Sequence, residues 1–331
     1  LTSLAIVGSG LAGRSLVYAL AKERKYFEKI TIFSSDTITL PCSLNSTGVV
    51  AGRGISYGHS SLGNLLLEGF HCFSDHVHSD LPMGVEAINQ YTVATSGLEA
   101  FKLRYPEGVI SKKFLKEESY LAEDKAYLID PKTYTDWLLE TSNRMQIFNI
   151  EQINDMVLEV TEGERLFIRT LNNRNYTFDK VVFTCGNYNR FWAPLAAQSK
   201  LKTSKPIQGS YFQFNDINWE EASFSLTLNG DNLIWNKSFK RLLIGSTSND
   251  SCHFMAPIED LKDIYERLRE KTNFNLPRIE DGIIKVGLRE KAQKREPYII
   301  EEGNCFFMGG LYKNGYSLSL LMARNLSRRL L

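Results

Sequence analysis

Hydrophobic and polar positions change period twice within the first 33 residues. Leu4-Ala-Ile-Val7 is an unbroken apolar run, the pattern of a parallel strand buried on both faces. From Ala12 to about Lys25, Leu16, Ala19 and Leu20 fall at helical spacing, and Lys29–Phe33 (KITIF) returns to a β-rich run. Strand, helix and strand in that order predict a βαβ unit, whose right-handed crossover lays both strands in one parallel sheet. An irregular stretch from Ser34 to Tyr57 follows, rich in Ser, Thr, Gly and Asn. Ser60 to about His78 then reads as a helix with Leu62, Leu65, Leu66, Phe70 and Phe73 on one stripe. Residues Val85 to Tyr127 are mixed and poorly punctuated. The pair Asp130-Pro131 starts a helix over Lys132–Asn143, because proline suits a first helical turn.

The remainder is mostly β-type. Asp155–Thr161 and Arg165–Leu171 predict a hairpin around Glu162-Gly163, and Lys180–Thr184 is a strand that runs into Cys185-Gly186. Gly209–Phe214, Ser223–Leu228, Asn232–Trp235 and Arg241–Ile244 are strands at antiparallel spacing. An amphipathic helix at Ile258–Lys271 follows. The chain closes with a strand (Asn304–Gly309), a glycine turn (Gly309–Gly315) and a helix from Ser317 to Leu331, with Leu318, Leu321, Met322 and Leu326 on one face. Both chain ends are therefore strand, glycine turn, helix, with an antiparallel block between. The expected fold class is α/β with an α+β insertion. Segments 1–84, 130–205 and 285–331 would assemble a Rossmann-like domain, and 85–129 with 206–284 a substrate domain with a largely antiparallel sheet.

Composition narrows the function classes. A formal net charge of +1 provides no global basic field for nucleic acid or anionic membrane. Five cysteines (Cys42, Cys72, Cys185, Cys252, Cys305) form no Cys-x-x-Cys pair and read as reduced thiols of a cytoplasmic protein, not a disulfide frame or zinc site. His71, His76 and His78 read as a solvated helix end, so no metal is expected. No apolar stretch approaches the roughly 18 residues of a membrane span, and the N-terminus has no signal-peptide layout.

The chemistry begins at Val7-Gly8-Ser9-Gly10-Leu11-Ala12-Gly13, a Gly-x-Gly-x-x-Gly loop between strand and helix. Gly8 permits the turn, Gly10 lets backbone N–H groups approach a pyrophosphate, and Gly13 lets helix and strand close up. The helix N-terminus at Leu11 and Ala12 supplies the positive dipole end. The acid that usually ends the second strand is missing: Phe33 is followed by Ser34, Ser35 and only then Asp36. Ser34 in that place weakens the case for NAD and tolerates FAD, whose longer isoalloxazine arm brings further contacts.

Gly310-Leu-Tyr-Lys-Asn-Gly-Tyr-Ser-Leu-Ser319 resembles the flavin-proximal turn of the D-amino-acid oxidase superfamily, particularly glycine oxidases. Four further segments resemble that family in the same order. They are Pro41-Cys-Ser-Leu-Asn-Ser-Thr-Gly48, Val181-Val-Phe-Thr-Cys-Gly-Asn187, Lys205-Pro-Ile-Gln-Gly209, and Val286-Gly-Leu-Arg289 with Arg295-Glu-Pro-Tyr-Ile299. The FAD-dependent half of a bacterial tRNA wobble-uridine modification enzyme, from the same superfamily, is similar too, including around Ile244-Gly-Ser-Thr247.

The resemblance implies FAD as cofactor and hydride transfer from an amine-bearing carbon to flavin N5. The resulting imine hydrolyses, and dioxygen or another acceptor reoxidises the flavin. Arg289 matches the family's carboxylate-binding arginine, and Lys313 a cation that stabilises negative charge on the reduced ring; pairing of Arg289 with Glu290 or Glu296 is the plainer alternative. Implied cofactor contacts are Ser43, Asn45, Gly48, Val157, Cys185, Gly186, Gly310, Asn314, Gly315 and Tyr316, and Tyr211, Trp235, Arg53 and His59 would line the substrate side. Asn232–Lys237 (NLIWNK) departs from the proline-containing strand usual in glycine oxidases, which leaves the substrate open. A small amine or amino acid is the expected partner. A carboxymethylaminomethyl-type uridine in tRNA is the alternative substrate, and a non-catalytic flavoprotein or maturation partner the alternative class.

Overall fold

The computed structural model describes residues 2–35, 42–52, 60–195 and 199–330. Asp36, Pro41, Arg53 and His59 lie outside the described residues.

Strand Ser3–Val7 is buried at all five positions because it is the middle of a six-stranded sheet. It pairs in parallel with Lys29–Ser34 on one side and Lys180–Phe183 on the other. Asn149–Asn154 extends the first side in parallel, and Cys305–Gly309 the second, with Tyr298–Glu302 antiparallel at the edge. Side-chain alternation sorts the two faces. Leu4 and Ile6 pack against helices Leu11–Lys22, Ser61–Asp80, Pro131–Met145 and Gly315–Ser327. Ala5 and Val7 pack under a small antiparallel sheet of Val157–Thr161, Leu166–Thr170 and Asn175–Phe178. The expected hairpin around Glu162-Gly163 is the first pair of that sheet.

Local chemistry fixes the helix starts. Ser60 Oγ accepts the Gly63 N–H at 3.0 Å, and Asp130 accepts the Thr133 N–H at 3.0 Å with Pro131 in the first turn.

The second layer is a nine-stranded sheet running Ile283–Lys291, Lys205–Phe214, Arg241–Gly245, Asp231–Asn236, Phe224–Leu228, Val85–Ala94, Ser119–Ile129 and Val49–Ala51, with Val109–Ser111 paired to Ser119–Ile129. The poorly punctuated stretch after Val85 thus holds two long strands, ten and eleven residues, and a short helix, Leu98–Arg104. The expected antiparallel pattern holds except where Phe224–Leu228 joins Val85–Ala94 in parallel. One face, with Phe212, Phe214, Leu233, Trp235 and Ile244, is covered by helix Ile258–Lys271. The other, with Ile88, Leu128, Tyr211, Ile234 and Leu243, receives Val49 and Ala51.

One sequence expectation is corrected here. His71 and His78 are solvated, but His76 is 0% exposed. Its Nδ1 lies 2.8 Å from Asp80, which also accepts from the Tyr18 hydroxyl at 2.6 Å and Lys22 at 2.6 Å. Burial pushes the His76 imidazole below its ordinary pKa. The helical stripe wraps further around Ser61–Asp80 than its leucines indicate, since Tyr18 and Trp137 close over the ring. No helix among the described residues is long and apolar enough to cross a membrane, and no cluster of metal-ligating side chains occurs among them.

Candidate active site

Strands Ser3–Val7, Lys180–Phe183 and Cys305–Gly309 run parallel, so the turns that follow them meet at one edge of the sheet, where open α/β sheets bind ligands. In the first turn, Gly8 donates its N–H to Phe33 carbonyl at 2.9 Å. A Cβ on Gly13 would fall 2.1 Å from the Gly8 oxygen, so helix Leu11–Lys22 presses on the loop as only glycine allows. Thr184 Oγ1 donates to the same oxygen at 2.9 Å and ties the second turn to the first.

Helix Leu11–Lys22 begins at Gly10 with no side-chain cap. Geometry leaves its first-turn N–H groups without partners inside the helix; that of Leu11 reaches Ser43 Oγ at 3.3 Å. Helix Gly315–Ser327 begins at Asn314, also without a side-chain cap. The two starts adjoin: a Cβ on Gly315 would sit 3.6 Å from Leu11 Cδ2. Two positive dipole ends therefore converge on a space that suits phosphate or another delocalised negative charge.

Residues 42–46 bridge that space to the nine-stranded sheet. Tyr316 donates its hydroxyl to the Ser43 carbonyl at 2.9 Å, and Tyr211 to the Ser46 carbonyl at 3.3 Å. A Cβ on Gly287 would come 3.0 Å from Cys42 Sγ and 3.3 Å from the Asn45 carbonyl. Burial raises the Tyr211 phenol to about 12, and raises the Cys42 thiol to about 11 against the opposing pull of Arg289.

Arg289 lies on the strand that faces residues 42–46. Its guanidinium lies flat over Gly209, where an added Cβ would be 2.2 Å from Nη2. Its Nη1 is buried with no hydrogen-bond partner among the described residues. The plainer alternative fails on geometry, because Glu290 bonds Tyr298 and Gly310, and Glu296 accepts from Ser61 at 2.8 Å. Lys313 is an exposed residue on the turn before the last helix. Partial desolvation, then the nearby Arg289, Arg295 and Lys291 charges, hold its ammonium below the usual range, and Tyr312 opposes this.

The remaining sequence candidates scatter. Ser34 stands at the carboxyl end of its strand, opposite Asn154. Gly48, at φ +63°, sits against Ile129, whose carbonyl an added Cβ would meet at 2.3 Å. Val157 packs with Phe33 and Val7 in the core. Cys185 donates its thiol to the Val7 carbonyl at 3.0 Å, and burial raises it to about 12. Gly186, at φ +55°, and Gly310, at φ +72°, shape the second and third turns. Trp235 is not brought to the site: it is 1% exposed on the helix-covered face, bonding the Glu221 carbonyl. Thr184 and Asn189, which sequence reasoning missed, hold the turns together through contacts 176 and 119 residues distant.

The glycine cradle, the paired helix starts and the unpartnered Arg289 suit a dinucleotide carrying a redox ring. A family model of FAD dependent oxidoreductases matches residues 3–329. The chain belongs to that family. Its cofactor is FAD, and it is an FAD-dependent oxidoreductase.

Solved structures of similar fold include glycine oxidase from Geobacillus kaustophilus, 17% identical, covering 99% of this chain and 95% of that one at a TM-score of 0.75. Iminodiacetate oxidase from Chelativorans sp. BNC1 is 14% identical over 98% and 94% at 0.78. Dithionite-reduced L-α-glycerophosphate oxidase from Mycoplasma pneumoniae with FAD bound is 17% identical over 99% and 94% at 0.77. At such identity the likeness is one of fold. No curated protein matches the chain by sequence.

Proposed function

We propose that this FAD-dependent oxidoreductase oxidises the C–N bond of a small amine or amino acid that carries a carboxylate. The observation that carries the reading is Arg289, a charged side chain with a buried and unpartnered Nη1, laid over a glycine on a strand facing residues 42–46. An unmet buried guanidinium N–H is costly, and a bidentate carboxylate removes that cost. Glycine oxidase and iminodiacetate oxidase, two proteins of this fold, are named for substrates of that kind.

The substrate would give up a hydride from carbon and a proton from nitrogen, leaving an imine that takes up water to release carbonyl and amine. Bound FAD supplies the two-electron acceptor for that hydride. The chain's own work is orientation. Gly8, Gly10, Leu11, Ala12 and Gly13 with Ser43 would hold the pyrophosphate, and Gly310 to Tyr316 would pass along the ring. Arg289 fixes the carboxylate, Tyr211 closes the sheet side, and Lys313 places positive charge beside the turn. Arg53 and His59 stay candidates for the substrate side. On this reading segments 1–84, 130–205 and 285–331 carry the cofactor, and 85–129 with 206–284 the substrate.

Purified protein should be yellow, and a small amino acid should bleach it under anaerobic conditions. FAD-loaded protein that no carboxylate-bearing amine reduces would overturn the substrate assignment.

A further inference from the structure

Successive residues of strand Ile283–Lys291 point to opposite sides of the sheet. Arg289 lies over Gly209; Glu290 turns the other way and is 4% exposed. Its Oε2 accepts the Gly310 N–H at 2.8 Å, and its Oε1 accepts the Tyr298 hydroxyl at 2.5 Å. Asn189 Nδ2 donates to the Tyr298 oxygen at 3.1 Å and to the Met308 carbonyl at 3.1 Å. Asn189 Oδ1 accepts the Cys185 N–H at 2.8 Å. A continuous buried path of hydrogen bonds thus joins the strand of Arg289 to the turns at Gly310 and at Cys185-Gly186. Packing around it is tight, since a Cβ on Gly309 would be 2.4 Å from both Glu290 Oε2 and the Tyr298 oxygen.

Two donors meet Glu290, the Tyr298 hydroxyl and the Gly310 N–H. An ionised Glu290 accepts from both donors at once, whereas a protonated carboxyl would bring a third hydrogen to the Tyr298 and Gly310 pair. Burial works against ionisation, and the outcome is a carboxyl raised to about 7. The titratable groups facing it are the Tyr298 phenol and the Cys185 thiol, both pushed up by burial and neutral. No cation meets its charge among the described residues.

We propose that Glu290 is a positioning residue of this oxidoreductase, holding the cofactor-facing turn Gly309–Gly315, and with it Lys313, in register with Arg289. The proposal rests on reading that turn as part of the flavin seat. It makes FAD affinity depend on the charge of Glu290, because protonation releases one donor and loosens the turn.

The test is titration of the apoprotein with FAD, followed by quenching of flavin fluorescence, at pH values on both sides of about 7. Wild type should bind FAD more weakly as the pH falls through that value, by on the order of tenfold. Glu290→Gln offers one acceptor for two donors and should give weak binding without that pH dependence. Tyr298→Phe keeps the Gly310 bond but removes a donor that favours ionisation, so its break should move to higher pH. No break in wild type, the same break in Glu290→Gln, or an unmoved break in Tyr298→Phe would overturn the proposal. If Glu290→Gln does not fold, the Tyr298→Phe profile decides alone. A break that behaves as expected in a protein no amine reduces supports Glu290's role and counts against the substrate reading only.

Discussion

Gly209 and Arg289 form a pair in which the smaller residue decides what the larger one does. A methyl group at Gly209 would first meet the end of the arginine side chain, at 2.2 Å, so the guanidinium can swing aside and the strand survives. Gly209→Ala should therefore keep its melting temperature while kcat/KM toward a carboxylate-bearing amine falls by about 100-fold, the cost of roughly 1 Å of misplacement. Steady-state kinetics beside thermal melting checks the split. Glu290 gives a second prediction at this scale. Its folded pKa, about 7, lies above the ordinary 4.5. Burial makes the ionised form, which orders the turn locally, costly to the fold as a whole, so stability is highest below about pH 4.5 and falls as the pH rises through 7. The difference in melting temperature between wild type and Glu290→Gln should track that window; a difference independent of pH would refute it. The Gly-Leu-Arg resemblance names Arg289 for a carboxylate, but neither its seat over Gly209 nor the role of Glu290 is visible in that string. Sequence names the residues, but strand alternation sends neighbours to opposite sides, and their partners lie 80 residues back at Gly209 or 20 ahead at Gly310.

Elements were more legible than contacts. The βαβ start, the hairpin around Glu162-Gly163 and the helix at Ile258–Lys271 follow from period and punctuation, which are local properties. Val85–Ala94 and Ser119–Ile129 escaped because each is partly exposed on an irregular schedule, so neither shows clean alternation. Asp130 links two elements and lends itself to measurement. It caps helix Pro131–Met145 through Thr133 and holds Arg241 at 2.8 Å, while Arg241 Nε already lacks a partner. Asp130→Ala should cost at least about 1 kcal/mol for the cap alone, with more from the stranded guanidinium. Its carboxyl, buried but held by the Thr133 bonds and Arg241, titrates below the usual range. The contribution is therefore present above the ordinary aspartate range and is lost as the pH falls through the lowered value. Denaturant melts at neutral and acid pH check both the size and the sign.

Across the whole molecule, both chain ends meet at one edge of one sheet: Leu11 rests beside Gly315, and residues 42–46 span from there to the strand of Arg289. That convergence was readable in outline, since two strand–glycine–helix units occur at opposite ends of the sequence. The bridge was not, because the stretch from Ser34 to Tyr57 has no periodicity to read. At the helix junction, His76 is buried and its pKa lowered, so its contribution is present above the ordinary histidine range and lost as the pH falls below it. Acid unfolding should move to lower pH in His76→Phe; an unchanged midpoint would contradict that role. Arg289 is proposed to receive a substrate carboxylate at the flavin. The most direct test is anaerobic reduction of the FAD-loaded protein by an amino acid and by the matching amine without its carboxylate. Bleaching should be at least about thirtyfold more efficient with the carboxylate, and Arg289→Met should show no such preference. Equal reduction by both compounds in wild type, or an undiminished preference in the variant, would contradict that assignment.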